Sequence, residues 1–488
     1  MYSSFASILG GVPWSSGLLP PGIVGVGSPR PRAFLRALLL CSAIWYVTQT
    51  GLLAAEGGPD RTDVFETESS FSPPIRAVAY GLVFLTVCVV SIAVPDAPLL
   101  LFVMSMPVDQ LVGARVALTL LQCGLVFVRT LSVKTMVPSL PLSVFLLCAT
   151  ASASWAYDPH ESLFPEMRGG VVDMLLVLPL LVATRALLRS RLTTTRRLLW
   201  SCCIGCIPGC CVIIHNALSG IRFIQDKEGY YRGLISPDIF SPILVVCGIF
   251  LLLCLSSSAE KLTARLFAGL LLPLISISIL LTGIRSGWLA LLFAAIVLLV
   301  RMRSFVAVGG ALAVGALVVI LGFSNATGLD LDNRLSERFS EQSMHTGEMR
   351  LEYWEVAAQG FVKRPVLGIG WGCFPVFAAD NTVGKQAITH NIFLRILCEL
   401  GFVGFGLFVA WMALTTTKLS GSSEGRLVRL LMIGVFTQGL FLDLFFCTYF
   451  YFFLGVCDGV PGDEPSLNAD RLEIWNCALA NPTIKAAL

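Results

Sequence analysis

The sequence predicts an all-α polytopic membrane protein, with about 12–14 transmembrane helices and one long extracytoplasmic loop carrying short amphipathic helices. Three observations predict it. Of the 488 residues, 56% are hydrophobic and only 13% charged, against roughly a quarter charged in soluble domains. Apolar runs approaching the ~20 residues a bilayer requires recur along most of the chain. The charged residues that remain gather between those runs. The net charge of +3 is too small to suggest nucleic-acid binding, and no basic run with interleaved aromatics appears.

Residues 1–33 are rich in Gly and Pro and carry no charge before Arg30, so the n-region of a signal peptide is missing. They read as a flexible cytoplasmic tail. Spans follow near 34–55, 76–94, 97–112, 114–132, 139–156, 170–188, 197–218, 237–256, 264–282, 287–300 and 304–323. The third is interrupted by Pro107, Asp109 and Gln110. After a polar loop come 391–416 and 428–457. As one helix the last would be ~45 Å long, more than the bilayer core, and Asp443 sits near its middle, so two short helices are expected. The domain plan is therefore a tail at 1–33, an N-terminal transmembrane bundle at 34–323, an extracytoplasmic catalytic loop at 324–390, C-terminal transmembrane helices at 391–457 and a polar tail at 458–488.

Sidedness follows from the positive-inside rule. Arg185, Arg189, Arg191, Arg196 and Arg197 make one loop strongly basic. Lys261 with Arg265, Arg301 with Arg303, and Arg426 with Arg429 mark three more. Alternation of spans puts all four on the cytoplasmic side. Segments 219–236, 283–286 and 324–390 then fall on the opposite face. Within the long loop, "GEMRLEYWEVAAQGF" places Leu351, Trp354, Ala358 and Phe361 at helical spacing, with Thr346 as the expected N-cap. "DLDNRLSERF" repeats the pattern with Leu331, Leu335 and Phe339. Both are expected to lie on the membrane surface. "GIGWG" (Gly368, Gly370, Gly372) then makes a flexible or tight link.

These outer segments hold the residues suited to chemistry. Arg285 interrupts an apolar run, and a charge at membrane depth is by default functional; the bland alternative is a turn arginine that snorkels. Arg232 sits in "YYRGLISPDIFSP", with Tyr230 and Tyr231 as an interfacial aromatic pair and Asp238 in the first turn of the next helix; alone it reads as a boundary arginine. Arg350 is ringed by Glu348, Glu352 and Glu355, which favours a local ion pair. His390 opens "HNIFLRILCELG". It is a group able to take a proton near neutrality, or else a belt residue beside a helix cap, with the two readings even on spacing. Asn391 can cap the helix, orient the imidazole or touch an acceptor. Together, arginines and one histidine on one membrane face suit a lipid-linked diphosphate, because arginine holds phosphate bidentately and stays charged.

Sixteen cysteines are present, most within apolar segments. "CCIGCIPGCC" (Cys202 to Cys211) lies inside a span, where small polarisable packing residues are the expected role and a metal site is not. A disulfide framework is not expected either, since only Cys373 lies in the long loop.

Three motifs resemble the O-antigen ligase and O-antigen polymerase superfamily of bacterial inner-membrane glycan enzymes. They are "RGLISPD" (Arg232 to Asp238), "TGIRSGWLALL" (Thr282 to Leu292), and "RLEYWEVAAQGFVKRPVLGIGWGCF" leading after a gap into "HNIFLRILCELGFVG". The resemblance covers roughly residues 140–455. It implies a metal-independent, inverting transferase without cofactor that moves a glycan from undecaprenyl diphosphate to an acceptor hydroxyl on a lipid or glycan. It implies Arg232 and Arg285 as diphosphate clamps, His390 as the base and Arg350 as a further loop arginine, with Asn391, Asp238 and Tyr231 as candidate substrate contacts. Asp238 stands where an asparagine is common, and Ile284 where a small polar residue is usual. A lipopolysaccharide ligase, a polysaccharide polymerase and a protein O-oligosaccharyltransferase all share this chemistry. From another class, a small-anion transporter would need charges near the midplane and internal symmetry; here the charges gather at one face and no repeat is evident.

Overall fold

The computed structural model describes residues 136–164, 169–218, 237–257, 260–282, 284–302, 341–381, 387–419, 422–445 and 447–461, with isolated residues between 96 and 123. The expected spans before residue 136, the span 304–323, the "DLDNRLSERF" helix and the polar tail from 462 lie wholly or mostly outside the described residues. So do Arg232 and Tyr231.

The described residues are helical, with no strand among them. In chain order they form α1 (Leu140–Ala151), α2 (Pro159–Leu163), α3 (Val171–Arg189), α4 (Thr195–Leu218), α5 (Pro237–Ser256), α6 (Leu262–Thr282), α7 (Arg285–Met302), α8 (Glu341–Lys363), α9 (Phe374–Asn381), α10 (Ile392–Lys418), α11 (Ser423–Gly439) and α12 (Thr448–Gly459). Five of these, α3, α4, α5, α6 and α10, are long and apolar enough to cross a membrane. They match the expected spans to within a few residues. The expected 428–457 span is two helices, α11 and α12, separated by residues 440–447. At 12 residues, α12 is only ~18 Å long, so the 440–447 break dips into the bundle and carries Asp443 with it.

One end of the bundle gathers the basic loops. Thr195 N donates to Glu424 Oε1 at 2.8 Å, and Arg196 pairs with Glu260. Those contacts bring the α3–α4, α5–α6 and α10–α11 connections together, as alternation of spans requires. Arg185 Nε lies 2.6 Å from Asp458 Oδ2 at the same end. There α12 runs beside α3 on Gly455 and Gly459, four residues apart; a Cβ at either would come within 2.9 Å of α3 backbone atoms. Close helix approach through small residues at this spacing is a common membrane packing mode.

The long loop departs from the expected surface arrangement in two ways. Its main helix, α8, starts at Glu341, so Thr346 is inside it and is not its N-cap. Its inward face is Val356 and Ala357, with Tyr353 partly buried beside them. Gly360 also faces inward, because a Cβ there would strike Cys398 and Phe377. Leu351 is 62% exposed and Ala358 is exposed. The partner decides the inward face: α8 packs on α9 and on the first turns of α10. The second departure is the "GIGWG" link, which runs through the protein interior, with Ile369 and Trp371 almost fully buried.

That link splints a break in α10. Gly401 has φ 62° and ψ −160° inside the helix, which leaves backbone groups on both sides without helical partners. The carbonyls of Cys398 and Glu399 accept from Ile369 N (3.0 Å) and Gly370 N (2.9 Å). On the far side Phe402 N and Val403 N donate to the carbonyls of Pro365 (2.8 Å) and Val366 (3.2 Å). Gly368 has φ 71° and no room for a Cβ against the Glu399 carbonyl, nor has Gly401 against that of Val366. Buried backbone polar groups must be paired, and glycine permits both the positive φ and the close approach.

Candidate active site

The end opposite the basic loops gathers three helix starts. Gln438 Nε2, at the end of α11, donates to Ser241 Oγ in the first turns of α5 at 3.1 Å. Gly287 in the first turn of α7 packs against Ser241 and Gln438 with no space for a Cβ. Gly439 packs against Ile392, the first residue of α10. The α6–α7 turn is itself tied by Trp288 Nε1 donating to the Ile279 carbonyl at 3.0 Å. Asp238 is three residues before Ser241, Arg285 two before Gly287, and His390 two before Ile392. The backbone therefore carries these three predicted residues to one end of the bundle, where three helix N-termini add partial positive charge.

Arg285 is the first residue of α7 rather than a residue of the preceding turn, and Asp238 is the second residue of α5. Arg350 lies within α8 and is partly buried. Its Nε is enclosed without a hydrogen-bond partner, and no ion pair joins it to Glu352 or Glu355 among the described residues; the Glu348 side chain lies outside them.

His390 is held in a left-handed backbone conformation, φ 49°, uncommon for a residue with a side chain. Its neighbours over-determine it. Trp354 of α8 donates its indole N–H to the Thr389 carbonyl at 2.9 Å. Thr389 Oγ1 donates to the Asn391 carbonyl at 3.1 Å. Asn391 is the N-cap of α10, its Oδ1 accepting from Phe393 N and Leu394 N, both at 3.0 Å. The carboxamide oxygen of Asn391 thus caps the helix, the first of the three roles considered. His390 itself is partly buried, with its Nδ1 enclosed.

One turn below lies a charged cluster that sequence reasoning missed. Arg395, 4% exposed, points its Nε at Glu399 Oε2 (3.0 Å) and Nη1 at Asp443 Oδ2 (2.8 Å). Its Nη2 donates to the Gly169 carbonyl at 2.8 Å, and the guanidinium sits 5.0 Å from the Trp371 ring centroid. Glu399 Oε1 accepts from Phe374 N at 3.1 Å. Trp371 is fixed in turn: its N–H donates to Ser152 Oγ at 2.8 Å and its carbonyl accepts from Ser162 Oγ at 2.7 Å. One arginine thereby joins the segment before α3, the "GIGWG" link, α10 and the 440–447 break. Glu399, fully buried, is a second acid inside the bundle beside Asp443, which the sequence had already marked. The missed signal was an i,i+4 pair of opposite charge inside an apolar helix.

The fold is that of an all-α, multi-pass membrane protein, in which the backbone of Asp238, Arg285 and His390 lies at one end and a loop helix bonds to the His390 turn through Trp354. Residues 268–409, from α6 into α10, match the family model of the O-antigen ligase. The match supports the O-antigen ligase and polymerase superfamily, whose members are glycan-transferring enzymes of the ligase and polymerase kind. It takes in Arg285, Arg350, His390 and Asn391; Arg232, Tyr231 and Asp238 precede it. No curated protein matches the chain.

Proposed function

We propose that the protein transfers a glycan from undecaprenyl diphosphate to an acceptor hydroxyl, on the extracytoplasmic face of the bacterial inner membrane, with inversion and without a metal ion. The observation that carries this reading is the convergence of the α5, α7 and α10 N-termini, with Asp238, Arg285 and His390 on them. A sugar diphosphate already holds a good leaving group, so what remains is to stabilise the departing charge and align the acceptor. Arg285 and Arg232 bear the first task as guanidinium clamps, with Arg350, Tyr231 and Asp238 as further contacts. His390 bears the second. Its imidazole takes the acceptor proton as the oxygen attacks the anomeric carbon opposite the diphosphate, and the C–O bond to the diphosphate breaks. The 324–390 loop closes over the reacting groups. Asn391 acts by fixing the start of α10 and the turn before it.

The purified protein, given a labelled undecaprenyl-diphosphate glycan and a panel of lipid, glycan and protein acceptors, is expected to transfer label in the presence of a chelator. Absence of transfer to any acceptor, or its loss on chelation, would overturn the reading. The preferred acceptor separates ligase, polymerase and protein glycosyltransferase.

A further inference from the structure

Away from the His390 end, α4 and α5 bring three thiols together. Cys202 and Cys206 are four residues apart on one face of α4, and Cys247 faces them from the middle of α5. Cys247 Sγ lies 3.5 Å from Cys202 Sγ and 3.9 Å from Cys206 Sγ, and all three sulfurs lie within 4.8 Å of one another. All three residues are 3% exposed or less. None is in a disulfide.

The spacing matters more than the proximity. With two sides of 3.5 and 3.9 Å and the third no longer than 4.8 Å, the point equidistant from the three sulfurs is about 2.1–2.4 Å from each, and a metal–thiolate bond is about 2.3 Å. The sequence placed Cys202 and Cys206 in one apolar span and so argued for packing; the third donor comes from a helix some 40 residues on and completes a trigonal set. The chemistry of the donors is uniform. Sulfur alone selects soft ions, and oxygen-seeking cations such as magnesium and calcium have nothing to bind. The surroundings narrow the choice again. The apolar side chains Leu199, Ile243 and Val246 lie around Cys202, so an uncompensated charge there is strongly disfavoured. A monovalent ion that displaces one thiol proton leaves the site neutral, with one thiolate and two thiols as donors. A divalent ion needs two protons displaced for the same balance, and zinc also seeks a fourth ligand.

We infer that Cys202, Cys206 and Cys247 form a three-coordinate site for a soft monovalent metal ion, copper(I) being the ion of that class. Bound there, it would cross-link α4 to α5, independently of the transfer chemistry.

The test uses the full-length protein in detergent, loaded anaerobically with copper(I) in the presence of a competing copper(I) chelator. Retained copper is measured by elemental mass spectrometry, and the thiolate-to-copper charge-transfer band by ultraviolet absorption. One copper per chain is expected, lost in Cys247→Ser and kept in Cys148→Ser, whose thiol is on α1. If Cys247→Ser does not fold, Cys247→Ala and Cys202→Ala replace it, with a folded chain required by size-exclusion profile. Three results would overturn the assignment: no retained copper in the wild type, equal retention in the cluster variants, or stoichiometric zinc retained in preference to copper.

Discussion

Arg395 Nη1 and the Asp443 carboxylate meet at 2.8 Å inside the bundle, joining the first turns of α10 to the non-helical break between α11 and α12. Irregular backbone at membrane depth is tolerated where protein groups satisfy it. Asp443 Oδ1 also accepts from Phe445 N at 3.2 Å, so the same carboxylate caps the break and binds the arginine. Removing one member of such a buried set strands the others, at roughly 3–5 kcal/mol. Arg395→Met should therefore lower thermal stability in detergent far more than Asn391→Ala, which removes one helix cap worth about 1 kcal/mol. Equal melting shifts would show that the cluster is not a structural anchor.

The glycines of α10 divide sharply. Gly401→Ala forces a side chain into a left-handed conformation and against the Val366 carbonyl. Gly406, five residues on, has nothing within 4 Å of a built Cβ. Gly401→Ala should destabilise by more than 1 kcal/mol, while Gly406→Ala should be neutral or gain up to about 1 kcal/mol of helix propensity. Thermal unfolding of the two variants side by side checks this contrast.

Trp354 links the loop helix to the His390 turn through a single N–H. Trp354→Phe keeps an aromatic ring and deletes that donor. Under the proposed chemistry, kcat should fall several-fold with KM for the lipid-linked donor little changed, because alignment is lost and not binding. A rise in KM at constant kcat would place Trp354 in donor binding instead.

Burial pushes the Cys373 thiol up to about 12 from its ordinary 9.0. The thiol is therefore protonated in the folded protein at pH 8 and should resist maleimide until the chain unfolds. The folded-state value is raised, so its stabilising contribution is complete below pH 9 and is lost as pH climbs from about 9 toward 12. Cys373→Ala should flatten the alkaline loss of stability measured across that window; an unchanged slope would assign the loss to other groups.

Much of this molecule was legible in its sequence, for identifiable reasons. Apolar length marked α3, α4, α5, α6 and α10 because a bilayer imposes that length, and basic loops marked one end because membranes sort Lys and Arg. The splitting of 428–457 followed from its excess length and Asp443. What was not legible depended on tertiary partners. The protein-facing side of α8 was not legible, because Val356 and Ala357 pack on α9 and α10, which the periodicity of the helix alone does not name. The "GIGWG" link read as a flexible or tight link, because nothing local reveals that its amides complete a broken helix more than twenty residues later. Arg395 and Glu399 were visible as an i,i+4 pair, but their third partner, Asp443, is 48 residues away from Arg395. Of the proposed site, placement at one end was inferable from sidedness alone. The left-handed turn at His390 was not.

The central claim is that His390 takes the acceptor proton. Its most direct test is single-turnover transfer by His390→Ala, at saturating lipid-linked donor and acceptor, in protein whose unfolding temperature matches the wild type. The account predicts loss of about 10²–10⁴-fold in rate with donor binding retained. Transfer at the wild-type rate by that folded variant would contradict it.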